Sequence, residues 1–335
     1  MKFRNKEKLM PMHKSYNPFK YLLFSILLIG ILGLVACKSP KSLVSNENST
    51  YVKYQPLEDA LLWKLTGKEL ISPSYIYGTI HIIDENDFFF PPGTLSGFDE
   101  AEQIIFEIDM DKMDNLFTQL GLMNKALMND DILLSDLLTK EEYHIVADFF
   151  EAKGFPMFFL ERIKPMFLSA IAEVDMDPSS MGKMAGMKSY EMEFHEMAKA
   201  QKKKVHGLET IDYQMSIFDS IPYQVQADML VESIKSSKGD SGEFEAMVEM
   251  YLAQQVELMY SLMEDTTGEY SSYTDLLVND RNENWIPMII DFAMKKPSFF
   301  AVGAGHLGGP KGVINLLRKE GYSLVPLSAE PKSSD

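Results

Sequence analysis

His81, His306, Glu107, Glu209, Arg281 and Cys37 are the residues of this chain whose types and surroundings could do chemistry. The two histidines come first because they share a context. Phe299-Phe300-Ala301-Val302 is a short apolar run that reads as a strand buried on both faces, and it ends in Gly303-Ala304-Gly305-His306. Tyr75-Ile76-Tyr77 is another such run, ending in Gly78-Thr79-Ile80-His81. Each imidazole is therefore expected at the C-terminal end of a strand, where open α/β sheets bind their ligands. Gly303 and Gly305 relax the backbone there and keep side chains clear of whatever binds. Gly308-Gly309-Pro310 predicts a turn, with Pro310 in the first turn of a helix running to about Glu320.

Neutral imidazole is a common metal ligand and a general base near neutral pH. Glu107 closes a third apolar run, Gln103-Ile104-Ile105-Phe106, with Asp109 just beyond. If that strand runs parallel to the other two, its carboxylate faces the same rim. Two histidines, one carboxylate and an open position for water make a hydrolytic metal constellation. The plainer alternative for Glu107 is an ordinary strand-end acid. Glu209 follows Gly207-Leu208 at a strand-to-helix junction. It is either a helix-start acid favoured by the dipole or an acid–base or metal partner. Arg281, with Asn282 and Trp285, opens the helix ahead of the His306 strand. It can clamp a carboxylate, orienting Glu107 or Glu209, or simply lie on the surface. Met176, Met181, Met184, Met187 and Met192 offer soft ligands for copper or haem iron. The chain has 23 methionines, so core filling or an apolar substrate groove explains them better. His144 and His195 sit on acidic amphipathic helices and are expected to be solvated.

The N-terminus reads as an export signal. Lys2, Arg4, Lys6, Lys8, Lys14 and Lys20 form a basic region ahead of an apolar run from Tyr21 to Ala36. That run has 16 residues, short of the roughly 20 needed to span a bilayer. Leu34-Val35-Ala36-Cys37 resembles the lipobox of bacterial lipoproteins, and Cys37 is the only cysteine. The expectation is a signal peptide over 1–36, an acylated Cys37 with a flexible tether to about 56, a domain over 57–328, and a tail over 329–335. The alternative is an uncleaved signal anchor. The reading places the protein outside the cytoplasmic membrane, lipid-anchored in a bacterial cell envelope. From Cys37 onward the chain carries 26 basic against 48 acidic residues, a net charge near −22. Such a surface repels nucleic acid and anionic headgroups, which leaves the acyl chains as the membrane contact.

The elements that must position these residues follow from periodicity. Leu61–Leu65 and Ser74–His81 predict a hairpin, Gln103–Asp109 a third strand, Lys204–Leu208 a short one and Ser323–Pro326 the last. Helices are predicted over Leu95–Ala101, from the Thr139–Glu142 capping box to Lys153, and over Leu160–Val174, Tyr190–Gln201, Tyr223–Ser236, Gly242–Met263 and Arg281–Lys295. The expected fold is α/β, a central sheet built from the N- and C-terminal segments with a large helical insertion between them.

Trp63-Lys64-Leu65, Tyr77-Gly78-Thr79-Ile80-His81, Phe106-Glu107-Ile108-Asp109, Gly207-Leu208-Glu209-Thr210, Arg281-Asn282 with Trp285, and Val302 to Gly309 stand in this order. The ordered set resembles the TraB/PrgY/GumN family, which includes the Tiki proteins, over about Leu61 to Leu327. The resemblance implies a Tiki-like fold related to the erythromycin-esterase and ChaN-like proteins. It also implies a metal-dependent peptidase-like hydrolase acting on a peptide or protein. His81, His306 and Glu107 would then hold a divalent ion (manganese, cobalt or zinc), with Glu209 and Arg281 assisting. The same fold admits a non-catalytic protein that sequesters a peptide signal, or haem as ChaN-like proteins do. The negative charge and the lack of a His-Met or Cys-Pro pairing speak against haem. The family pattern departs in one place. An aspartate is expected soon after a glycine ahead of the helix before Lys204, and Gly186-Met187-Lys188-Ser189-Tyr190-Glu191 stands there instead.

Overall fold

The computed structural model describes residues 54, 56–113, 115–173, 186–237, 242–264 and 271–327. The predicted signal peptide, Cys37, nearly all of the tether and the tail lie outside the described residues, as do Met176, Met181 and Met184. Among the described residues no helix is long and apolar enough to cross a membrane.

Six strands form the central sheet: β1 (Leu62–Thr66), β2 (Ser74–Thr79), β4 (Gln103–Ile108), β6 (Lys204–Glu209), β7 (Ser298–Gly303) and β8 (Ser323–Pro326), in the order β6-β4-β7-β2-β1-β8. β3 (Ile83–Asp84) and β5 (Met187–Lys188) pair as a separate two-stranded ribbon. The helices are α1 (Thr94–Glu100), α2 (Met110–Met113), α3 (Leu116–Lys125), α4 (Leu134–Leu137), α5 (Lys140–Ala152), α6 (Pro165–Glu173) and α7 (Tyr190–Ala200). They continue as α8 (Ile211–Asp219), α9 (Tyr223–Ser237), α10 (Gly242–Leu252), α11 (Val256–Glu264), α12 (Ser271–Thr274), α13 (Asp280–Lys295) and α14 (Val313–Lys319). The fold is α/β, as the sequence implies.

β6, β4, β7 and β2 run parallel; β1 pairs antiparallel with β2 and β8 antiparallel with β1 at the far edge. The C-terminal ends of four strands therefore share one rim. Every residue of β2 and β4 is buried, which is why parallel strands covered on both faces read as continuous apolar runs. Close packing at the rim depends on glycine. A Cβ on Gly78 would lie 2.8 Å from Leu307 Cδ1, so glycine lets the 304–307 turn rest on β2. A Cβ on Gly207 would lie 2.5 Å from the Asp109 backbone nitrogen, across the β4–β6 pair. A second apolar core lies within the helical insertion, where Phe150, Leu168, Leu230 and Ile234 pack together.

Several local expectations are corrected. The predicted helix 242–263 is two helices, because Gln254 turns into the left-handed region (φ 60°) and accepts a hydrogen bond from the Leu61 backbone N–H at 3.3 Å. The helix expected from Leu160 begins at Pro165, since Ile163 pairs with Leu127 in an isolated β-bridge instead. Pro310 precedes its helix rather than opening it. Gly309, at φ 81°, makes the turn and Gly312 caps α14. His195 is not solvated. It is fully buried against Phe106, and its Nε2 lies 2.8 Å from Asp111 Oδ1. His144 is exposed as expected, and Met192 fills the core.

Candidate active site

β7 lies between β2 and β4, so the residues that leave these three strands meet over its C-terminal end. His81 follows β2 by two residues, Glu107 is on β4, His306 sits in the 3₁₀ turn after β7, and Glu209 ends β6. The structure thus brings His81, Glu107, Glu209 and His306 to one rim. All four side chains are nearly or wholly buried, as is that of Arg281 from α13. A π-helical turn, Asp275–Asn279, feeds α13, and Arg281 Nη1 donates to the Leu277 carbonyl within it at 3.0 Å.

Arg281 is the hub. Its Nη2 donates to Glu107 Oε2 and to Glu209 Oε1, each at 2.6 Å. Its Nε reaches both Glu209 oxygens at 3.2 Å, and its Nη1 donates to His306 Nε2 at 3.2 Å. Trp285 stacks under the guanidinium, 4.8 Å to the ring centroid, and donates Nε1–H to Glu209 Oε2 at 3.1 Å. Glu107 Oε1 accepts from the Gly303 N–H at 2.9 Å. A Cβ on Gly303 would stand 3.3 Å from that oxygen, so this glycine serves by its small size while its φ of −53° is ordinary.

These contacts set the charge states. Burial works to raise the Glu107 carboxyl, and the Arg281 guanidinium outweighs it, holding the group at about 2. Burial raises Glu209, opposed by Arg281. Every partner of Glu209 is a donor, so its surroundings fit the carboxylate. His306 Nδ1 donates to Asn282 Oδ1 at 2.7 Å, and Asn282 Nδ2 donates to the His306 and Lys311 carbonyls. That fixes the amide and hence the tautomer: Nδ1 carries the proton and Nε2 accepts from Arg281. Burial, with Arg281 and His81 adding to it against the pull of Glu107, drives the His306 imidazole down to about 3.

His81 stands differently. Its Nδ1 lies 2.9 Å from Glu191 Oε1, a buried carboxylate. Burial by itself would lower this imidazole, but the charge and hydrogen bond of Glu191 prevail and raise it. Glu191 was not foreseen. The sequence marked its position only as a departure from the family pattern, and the acid there proves to be placed against a rim histidine. Asn282 and Gln214 were also missed as site residues. Gln214 Nε2 donates to Glu209 Oε1 at 3.1 Å and approaches Glu107 Oε2 at 3.5 Å. Nothing in a lone glutamine five residues past Glu209 signals that role.

The predicted ligand set of His81, His306 and Glu107 does not fit a divalent ion as these side chains stand. Arg281 already occupies Glu107 Oε2 and the His306 Nε2 lone pair. An ion at those atoms would sit about 4 Å from the guanidinium, a repulsion of roughly 8 kcal/mol at an effective dielectric near 20. Among the described residues no group of three or more His, Cys, Asp or Glu is spaced to hold an ion.

A family model described as the TraB/PrgY/gumN family matches residues 61–326, from β1 to β8 and across every residue of the rim. The chain belongs to the TraB/PrgY/gumN family. It is also 20% identical over 304 residues to a protein named Metalloprotease TIKI1 from Danio rerio, covering 75% of this chain and 60% of that one. No solved structure matches the chain.

Proposed function

We propose that this family member is a hydrolase acting on a peptide or related acyl bond, with His81 moving the proton of the attacking water. The observation that carries the reading is the convergence of His81, Glu107, Glu209, Arg281 and His306 on one rim. Nε2 of His81 is the one imidazole nitrogen of the rim pair with no protein partner among the described residues. An imidazole with its other nitrogen on a carboxylate is suited to general base and then general acid work. Glu107, Arg281 and Glu209 form a buried charged network on the same rim, and His306 accepts from the guanidinium. The relative named a metalloprotease supports peptide-bond chemistry. The divalent ion that the family resemblance implies has no place in this reading, because its ligands are engaged with Arg281.

Export and acylation at Cys37 belong to the same proposal. The basic–apolar–Leu34-Val35-Ala36-Cys37 order supports them, and with them a domain at the cell envelope acting on peptide or protein substrates. Membrane fractionation with the processed length read alongside tests this: a Cys37→Ser protein that stays membrane-bound and is processed as before would refute the lipid anchor.

The activity test is digestion of a fluorogenic peptide library by the wild type, His81→Ala and Glu107→Gln, each with and without EDTA. Turnover that survives EDTA and disappears in His81→Ala is expected. Turnover abolished by EDTA and restored by manganese, cobalt or zinc would return the rim to a metal site, with Arg281 swinging aside. Tight peptide retention without cleavage would make the protein a binder.

A further inference from the structure

Glu191 stands 110 residues from His81 in the chain, yet the fold ties the two segments together in three ways. The first is side-chain chemistry. Glu191 Oε1 accepts from the Thr79 hydroxyl at 2.6 Å and meets His81 Nδ1 at 2.9 Å, while Oε2 accepts from the Ser189 hydroxyl at 2.9 Å. An ionised carboxylate only accepts, so His81 Nδ1 must be the donor. The second is backbone pairing. Ile83 pairs with Lys188 and Asp84 with Met187 in the β3–β5 ribbon, and the Glu85 N–H donates to the Gly186 carbonyl at 2.6 Å. The strand leaving His81 is thus clamped to the strand entering Glu191. The third is packing. Tyr190 stacks on Phe88 at 4.4 Å between centroids and donates its hydroxyl proton to the Phe89 carbonyl. Glu191 also lies in the first turn of α7, where the helix dipole favours a negative charge.

A surface acid would need none of this. The carboxylate is desolvated, supported by two hydroxyls and held by a dedicated ribbon, and its one ring contact fixes which nitrogen of His81 carries the proton. We propose that Glu191 is the positioning residue of this site: it holds His81 as the Nδ1–H tautomer, so that Nε2 keeps its lone pair for the reacting side. Its consequence for turnover rests on the hydrolase reading, whereas the tautomer does not.

The test combines ring ¹⁵N NMR at alkaline pH, where the imidazoles are neutral, with peptide-library kinetics on the wild type, Glu191→Gln and Glu191→Asp. His81 is expected protonated on Nδ1 in the wild type and in Glu191→Asp. In Glu191→Gln, whose amide can donate, a substantial Nε2–H population is expected. His306, held by Asn282, should keep its tautomer in all three and serves as the internal control. Where peptides turn over, Glu191→Gln should lower kcat about ten-thousandfold with KM little changed, the scale seen when the carboxylate of an imidazole–carboxylate pair becomes an amide. Glu191→Asp should recover at least about tenfold of that loss. An Nε2–H His81 in the wild type, or an unchanged tautomer in Glu191→Gln, overturns the proposal. If Glu191→Gln does not fold, the wild-type ring spectrum still decides. If the wild type cleaves nothing, the hydrolase reading fails and the NMR result stands alone.

Discussion

His81 and His306 leave adjacent parallel strands by the same Gly-x-x-His step, and their rings meet opposite electrostatic company. Nδ1 of His81 is bound by a carboxylate and Nδ1 of His306 by the neutral amide of Asn282. Nε2 of His306 is taken by a guanidinium, and that of His81 has no protein partner among the described residues. The first environment raises the ring's affinity for a second proton and the second lowers it. A repeated motif therefore does not imply a repeated job. The strand–glycine step sets where a ring stands, and the elements packed above the rim decide what it can do.

The most forceful way to break this contrast is Arg281→Met. It strips the guanidinium from Glu107 and Glu209 while leaving both carboxylates buried. Removing one partner of such a network costs about 3–5 kcal/mol. A fall in urea midpoint equivalent to that loss is expected, together with a rise in the His306 pKa as its Nε2 loses the cation. Unchanged stability would mean that the hub does not hold the rim.

Asn282→Leu isolates the His306 side. It leaves Nδ1 and two carbonyls without their buried partner, at a cost of about 2–3 kcal/mol. Urea denaturation should show that loss without moving the His81 pKa seen by NMR. A matching shift at His81 would show that the two rings act as one unit.

The pH dependence of stability sharpens the comparison further. His306 is depressed in the folded state to about 3. Its contribution is whole above the unfolded value near 6.5 and is lost as pH falls toward about 3, at up to roughly 1.4 kcal/mol per pH unit. His81 is raised, so its contribution is whole below about 6.5 and is lost as pH climbs through the folded value. Plotting urea midpoint against pH, His306→Asn should flatten the acid limb and His81→Asn the alkaline limb. The same limb altered by both variants would refute the division.

The smallest effect concerns the histidines on the helices. His144→Ala should change stability by less than about 0.5 kcal/mol, because the ring is exposed. His195→Ala should cost clearly more in the same measurement, because the buried ring is packed on Phe106 and bonded to Asp111.

Much of the scaffold was legible. Apolar runs ending in glycine at Gly78 and Gly303 marked β2 and β7, and the capping box at Thr139 marked α5. Glu107, Glu209 and Arg281 were singled out from their places at strand ends and a helix start. The misses have physical causes. His195 looked solvated because its helix is rich in acids, and only the packing of α7 on β4 shows which face turns inward. Glu191 looked like a departure from a pattern because its partner is 110 positions away. Asn282 was seen only as the neighbour of Arg281, since nothing local aims its amide at His306.

The sequence by itself determined the family, the strands of the central sheet and the residue types at their ends. Hydrophobic periodicity and glycine placement are local properties, and a family pattern is an ordered string. The tertiary structure decided that β7 lies between β2 and β4, that Arg281 fills the lone pairs assigned to a metal, and that one histidine faces an acid and the other an amide. Those outcomes depend on which segments, often more than a hundred residues apart, are packed against each ring. Hydrogen bonds of about 3 Å answer to that packing and leave no periodic trace in the chain.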